Sequence, residues 1–212
     1  MLRSHDALEI HSHKICDGSD WWLRPWLPRS VRAGLLILLL GSGLVATCKA
    51  QSGAEALEYR IKAAFVCKFV SYVEWPAQTF AQADSPIVIG VMATDAVVDE
   101  LIRTAAGLSA DGRALVVRRL QRGAPLANTH LIYIASSEES RLADTLAALK
   151  GQPVLVVTES SRAAALGSMI NFVVVDDKVR FDIAPQAAEG GRLKISARLL
   201  GVARSLIGKA PS

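Results

Sequence analysis

The chain has 212 residues, which is enough for one domain with a substantial hydrophobic core and hardly enough for two. Its 24 Lys and Arg residues exceed its 20 Asp and Glu residues by a net charge of +4, and so small an excess gives no indication of nucleic acid as a main partner. Cys67 is the only cysteine after residue 50, which excludes an intramolecular disulfide in that part of the chain.

The N-terminal 50 residues have the layout of a secretory signal peptide at the end of a long leader. A basic flank that ends at Arg32 precedes an apolar run over residues 33–46, which is short for a helix that crosses a bilayer. Small residues at Cys48 and Ala50 predict cleavage near Ala50 and therefore export to the periplasm. Two alternatives stay open, namely lipidation of Cys48 and an uncleaved membrane anchor.

Beyond the leader, residues 51–56 are predicted to form a short linker and residues 57–208 a single domain. The domain opens with apolar residues at spacings of three and four, which predicts an amphipathic helix from Leu57 to Val73. The helix is expected to end before Pro76, because the residue before a proline disfavours the helical conformation. The predicted core-facing stripe consists of Ile61, Ala64, Phe65, Phe69, Tyr72 and Val73.

Short apolar runs then alternate with amphipathic segments that are bounded by capping residues and glycines. The continuous apolar character of the runs indicates parallel strands that helices cover on both faces. The helix predicted at residues 138–149 is expected to begin with a capping box of Ser and Glu residues at residues 136–140, and a short Ala-rich helical segment is expected before Gly167. Strands are predicted at residues 86–92, 114–120, 130–135 and 153–157, and helices at residues 94–105 and 138–149.

The C-terminal part predicts a hairpin and a last helix. Strands at residues 169–175 and 178–183 are joined by Asp176-Asp177, a turn-prone pair typical of antiparallel hairpins. The second strand alternates charged with apolar residues, which places it at an edge of the sheet. Pro185 is expected to begin a helix whose core-facing stripe runs to Leu206. The elements together predict an α/β fold, a single three-layer sandwich with a mostly parallel sheet and an antiparallel edge hairpin, Rossmann-like or flavodoxin-like.

The chain after residue 50 offers few residues for catalysis or metal binding. His130 begins an apolar strand, where a structural role is favoured, and Cys67 lies on the first helix, where a cysteine usually packs as a small apolar side chain. Neither a glycine-rich dinucleotide motif nor a phosphate-binding loop is present, so we expect no cofactor. We also expect no metal, because no cluster of His, Cys or carboxylates has ligand spacing.

Two features of the predicted surface could contact a partner. Trp75 could be an exposed anchor, or it could cap the core under the Pro76 turn. A basic cluster could bind an anion or an acidic protein, or it could be an ordinary solvated surface. The cluster consists of Arg113, Arg118, Arg119 and Arg122.

The motifs, taken in order, resemble those of the YfiR family. The opening helix ends in the pair Trp75-Pro76 soon after a signal peptide. Gly167 precedes the segment Met169-Ile170-Asn171-Phe172, in which Asn171 and Phe172 belong to the motif. The resemblance covers nearly all of residues 57–207. Further similar segments are residues 59–65, 87–91, 130–134, 154–158, 179–183 and 193–200.

This resemblance implies a binding protein and assigns no catalytic residues. YfiR-like proteins are periplasmic repressors that dock on the periplasmic domain of an inner-membrane diguanylate cyclase, which lowers cyclic di-GMP and biofilm formation. In the better-known systems an OmpA-like outer-membrane lipoprotein relieves the repression, and homodimers are usual. We therefore expect a repressor and not an enzyme. Candidate partner contacts on the predicted exposed faces are Trp75 beside the first helix, Arg180 on the edge strand and Lys194 on the last helix.

Two other functions stay open on the sequence. One is a periplasmic sensor of a small ligand that passes its bound state to a membrane receptor or kinase. The other is an enzyme that uses the crevice at the carboxyl ends of the strands, where α/β sheets place their active sites.

Overall fold

The computed structural model describes residues 44–208, with the backbone alone for residues 44–52. Most of the predicted signal peptide lies outside the described residues, and the predicted cleavage position near Ala50 falls where only the backbone is described. Among the residues described, no helix combines the length and hydropathy that a membrane span requires.

The first helix, α1, spans Leu44–Phe69 and continues as a 3₁₀ turn at Val70–Tyr72. It begins well before the predicted start at Leu57, so residues 51–56 belong to this helix instead of forming a linker. The apolar stripe indicated only the part of the helix that packs on the domain. The Ala-, Leu- and Glu-containing sequence before that part favours helix by propensity, which a search for apolar spacing does not detect.

The sheet contains five parallel strands and an antiparallel extension at each edge. The parallel strands lie in the spatial order β4-β2-β5-β6-β7, which is the flavodoxin-like order when they are renumbered along the chain. At one edge β3 pairs with β4, and at the other β8 and β10 follow β7. A separate two-stranded sheet joins β1 to β9. The strands are β1 Val73–Glu74, β2 Ile87–Met92, β3 Ser109–Ala110, β4 Arg113–Arg119, β5 Leu131–Ile134, β6 Leu155–Thr158, β7 Ile170–Val175, β8 Lys178–Ile183, β9 Lys194–Ile195 and β10 Ser205–Leu206.

Helices cover both faces of this sheet, which confirms the predicted α/β sandwich. On one face Phe69 of α1 lies with its ring centroid 5.7 Å from that of Phe172 and 5.0 Å from that of Phe181, and α2 packs over the same core. On the other face Leu146 of α3 packs in a second cluster with Ile132 and related strand residues. The remaining helices are α2 Asp95–Ala105, α3 Leu142–Leu149, α4 Pro185–Gly190 and α5 Ala197–Val202.

The predicted hairpin is confirmed, but its second strand is not the outermost one. Asp176 and Asp177 both have positive φ, at 50° and 56°, as a two-residue turn that follows the twist of the strands requires. β10 then pairs with the end of β8. Asp182 of β8 is buried, and Arg204 just before β10 donates to its carboxylate. The alternating charge pattern therefore concealed a buried aspartate that pairs with an exposed arginine.

The predicted single C-terminal helix is wrong. α4 ends at Gly190, and the chain turns through Arg192, whose φ is +61°, before it forms β9, α5 and β10 in succession. The consecutive glycines explain the break, because glycine disfavours helix interiors. At Gly191 a side chain would also place its Cβ 2.9 Å from the Gln152 carbonyl oxygen.

Two smaller expectations are wrong as well. Residues 136–141 form a 3₁₀ helix that lacks a side-chain cap, so the predicted capping box does not form, and Glu138 pairs with Arg141 instead. Residues 161–167 form consecutive turns instead of an Ala-rich helical segment. In each case the local sequence is compatible with a helix, and the tertiary contacts select another conformation.

Candidate functional site

Buried charges gather at the carboxyl ends of β5 and β6, the place where α/β sheets most often hold an active site. Lys62 of α1 is only 4% exposed. Its Nζ lies 2.5 Å from Glu58 Oε1 and 3.0 Å from Glu159 Oε2, and the Tyr133 hydroxyl donates to Glu159 Oε1. We call Lys62, Glu58, Glu159 and Tyr133 the carboxyl-edge network.

The charges in this network act on each other. Burial raises the pKa of Glu159, and the positive charge and hydrogen bond of Lys62 oppose that increase. The network borders an open crevice of about 410 Å³, yet each of its charged groups contacts another member. Such an arrangement holds α1 against the end of the sheet, since a buried charge needs a paired and hydrogen-bonded partner.

The motif residues of the following strand have structural contacts. Asn171 Oδ1 accepts hydrogen bonds from Thr158 Oγ1 at 2.8 Å and from the Ser160 backbone N–H at 3.0 Å, which ties β7 to the end of β6. Phe172 points to the other face and packs among the aromatic residues under α1. Gly167 has a φ of +96°, a conformation that side chains disfavour.

Trp75 is half-buried and packs at the amino ends of the strands. Its Nε1–H donates to the His130 carbonyl oxygen at 3.2 Å, and its ring packs edge-on against Phe80. Phe80 is itself held between the His130 ring at 4.6 Å and the Arg113 guanidinium at 3.9 Å. Trp75 thus caps the core beside Pro76, as one of the two sequence interpretations held.

His130 and Cys67 both have the packing roles that the sequence favoured. His130 Nδ1 accepts a hydrogen bond from the Val88 backbone N–H at 3.0 Å, and burial is the main cause that lowers the pKa of His130. Cys67 is buried in the core under α1, and burial raises the pKa of its thiol to about 11.

The two other predicted partner contacts are both exposed, but the structure does not bring all three together. Lys194 lies on β9 and pairs with Glu74 of β1, the residue that precedes Trp75. Arg180 lies on β8, away from that small sheet, and faces the side of the main sheet opposite to its neighbour Phe181. That these residues contact a partner stays a prediction.

The predicted basic cluster is divided among separate contacts. Arg113 donates to the Gln82 and Ser85 carbonyl oxygens, and Arg119 pairs with Asp95. Arg118 donates to the Ala127 carbonyl and to Thr129. Arg113 and Arg118 therefore fasten loops to β4, Arg119 pairs with the start of α2, and Arg122 is exposed in the loop after β4.

A groove that the sequence did not indicate lies between α1 and α5. Its volume is about 260 Å³, and its lining is mainly aromatic and aliphatic. Lys68 and Arg198 lie on its rim and are exposed. We call this feature the α1–α5 groove, and its apolar lining consists of Phe65, Phe69, Tyr72, Phe181, Leu199 and Val202.

The exposed side of α1 leads toward this groove. Leu57 and Ile61 are 55% and 37% exposed, and Ala64 is exposed as well. The prediction that Ile61 and Ala64 face the core is therefore wrong. The helix has apolar residues on two sides, and its sheet-facing side is the one that carries Ala63, Val66 and Val70.

The comparisons with known proteins identify the class. The model of the DUF4154 family, described as YfiR/HmsC-like, matches residues 59–204, and the chain belongs to this family. Its members are known in periplasmic regulation of cyclic di-GMP signalling and are regulatory rather than catalytic. A search of curated proteins gave no significant match.

Proposed function

We propose that this protein is an exported repressor that binds the periplasmic domain of a membrane-bound diguanylate cyclase and so lowers cyclic di-GMP and biofilm formation. The observation that carries the proposal is the family match over residues 59–204, which extends through nearly all of the α/β domain. The secretory layout of residues 1–50 supports export.

The contacts at the carboxyl end of the sheet support binding as the mode of action. An enzyme needs a nucleophile, acid or base that can reach a substrate. Here Lys62, Glu159 and Tyr133 bond to one another, and His130 is held in a stack with its Nδ1 occupied. The apolar surface left exposed on α1 and α5 is of the kind that marks protein interfaces.

The proposed partners follow from the family's known role. The first is the periplasmic domain of an inner-membrane diguanylate cyclase, with Arg180 and Lys194 as exposed candidate contacts. The second is an OmpA-like outer-membrane lipoprotein that would bind the repressor and relieve repression. A homodimer is the proposed oligomeric state.

Deletion of the gene tests the proposed function. We expect cyclic di-GMP and surface attachment to rise in the deletion strain, and a plasmid copy of the full-length gene to restore both. A second deletion, of the target cyclase, should abolish the rise. Wild-type levels of cyclic di-GMP and biofilm in the single deletion strain would refute the repressor function.

One observation favours the ligand-sensor alternative. An apolar groove of about 610 Å³ lies between α3, the turns at residues 161–167 and α4, within the size range of small-molecule sites. Its lining is mostly aliphatic, Ala and Gly residues, with Lys150 as the single charged residue, which suits a small apolar carboxylate. A rise in melting temperature with fatty acids of increasing length would support the sensor, and no shift with any of them would reject it.

A further inference from the structure

We infer that the α1–α5 groove is the surface that docks the partner, and that it receives an acidic, amphipathic protein segment. This inference rests on the proposed function, because it names the surface and the partner chemistry for the same binding activity. An apolar side chain of the partner would fill the groove, and its carboxylates would pair with the basic rim.

Exposed apolar side chains lie in and beside the groove. Val202 of α5 is 69% exposed, more than any other large hydrophobic residue for which the structure gives an exposure. Phe65 and Tyr72 line the groove and are only partly buried. Leu57 and Ile61 continue this surface along α1, because residues four apart lie on the same side of a helix. Exposed apolar side chains that lie together in this way are typical of a docking site.

The charge at the rim decides which partner fits. Lys68 and Arg198 are the two charged residues that line the groove, and both are exposed. In the part of the chain that the structure describes, neither residue forms an ion pair within the domain. Acidic residues are absent from the described lining. The rim therefore attracts carboxylates and disfavours basic surfaces.

The same charges argue against a second copy of this chain as the occupant. A twofold contact across the groove would place Lys68 and Arg198 of one copy against the same residues of the other. Like charges brought together in an interface cost free energy and suppress such pairings. An acidic segment with one large apolar residue satisfies both the apolar lining and the rim.

A charge-reversal experiment tests this surface against a matched control. The probe is the purified periplasmic domain of the diguanylate cyclase whose deletion suppresses the phenotype, titrated into the mature protein as isolated from the periplasm. The groove variant is Lys68→Glu with Arg198→Glu. The control is Arg122→Glu with Arg103→Glu, which changes the net charge by the same amount at exposed residues outside the groove. A third variant, Val202→Ser, removes apolar surface without a change in charge.

We expect the groove variant to lose at least about tenfold in affinity and Val202→Ser to lose a few-fold, with the control close to wild type. The wild-type affinity should also fall as salt is raised. Melting curves of all variants should match that of the wild type, since the substituted residues are exposed. If the groove and control variants bind equally well, the docking surface is elsewhere while the repressor function stands.

Two other outcomes also overturn the inference, and each can be told apart from equal binding by the groove and control variants. If the groove variants change a dimer into a monomer without weakening the cyclase domain's affinity, the occupant is a second copy. If the wild type itself does not bind the cyclase domain, the proposed function fails together with the docking surface.

Discussion

The two sides of α1 lie in opposite environments although both carry apolar residues. On the side toward the sheet Val66 and Val70 are completely buried, and the one charged residue there, Lys62, is paired with Glu159. On the opposite side Leu57 and Ile61 are 55% and 37% exposed. A helix at the surface of a domain needs one apolar side to fold, so the second apolar side calls for another explanation, and partner binding provides it.

This difference also separates two kinds of polar residue on the same helix. Lys62 is buried and contacts carboxylates of its own chain. Lys68, less than two turns further on, is exposed beside an apolar groove. The first residue is expected to affect stability and the second to affect binding, so variants can test the two sides separately.

The largest expected effect on stability is that of Lys62→Met. The substitution leaves the Glu159 carboxylate buried without its lysine, and such a loss typically costs about 3–5 kcal/mol of unfolding free energy at neutral pH. Urea unfolding followed by circular dichroism measures this loss. Lys62→Met combined with Glu159→Gln should recover most of it, because no buried charge is then left unpaired by the change.

The loss should depend on pH in a defined direction. Burial already raises the pKa of Glu159, and without Lys62 that pKa rises further. Between the ordinary carboxyl pKa and the raised one, the folded state binds more protons than the unfolded state, so stability falls as pH rises through that interval. The variant should therefore regain stability below it. A loss that is independent of pH, or smaller than about 1 kcal/mol at neutral pH, would contradict the buried ion pair.

A smaller effect should distinguish the two sides by a serine placed on each of them. Cys67→Ser places a hydroxyl on the buried side, where an unsatisfied hydroxyl costs about 1–3 kcal/mol. Ala64→Ser places a hydroxyl on the exposed side, where only the lower helix propensity of serine counts, about 0.5 kcal/mol. Chemical unfolding of both variants gives the comparison. Equal losses would mean that the exposed side is covered.

The elements that the sequence predicted well are those whose pattern has one physical explanation. A continuous apolar run such as that of β5 or β6 suits a strand covered on both faces. Asp176-Asp177 between two strands suits a turn with positive φ. The mostly parallel sheet and the hairpin followed from these two signals.

The elements that were predicted wrongly have patterns with more than one physical explanation. The apolar residues from Leu193 to Leu206 were predicted to form one helix side, but they come from β9, α5 and β10, because short segments of either type bury similar residues. The spacing of apolar residues alone could not show which of the two apolar sides of α1 faces the sheet. The α1–α5 groove was therefore not predictable, since it requires both α5 and the orientation of α1.

The carboxyl-edge network was equally hidden in the sequence. Lys62 and Glu159 are distant along the chain, and a lysine in an amphipathic helix is usually exposed. Only the stacking of α1 over the ends of β5 and β6 brings the pair together. The predicted contacts Arg180 and Lys194 needed no such information, because alternation and polarity place them on the surface.

Hydrogen exchange of the protein with and without the cyclase's periplasmic domain tests whether α1 and α5 form the docking surface. We expect slower exchange in peptides from residues 57–72 and 197–202 when the complex forms. We expect no change in peptides that contain Tyr133 or Glu159 but no residue of α1 or α5, because the carboxyl-edge network is already closed. Absence of a complex, or protection confined to the hairpin at residues 170–183, would contradict docking at α1 and α5.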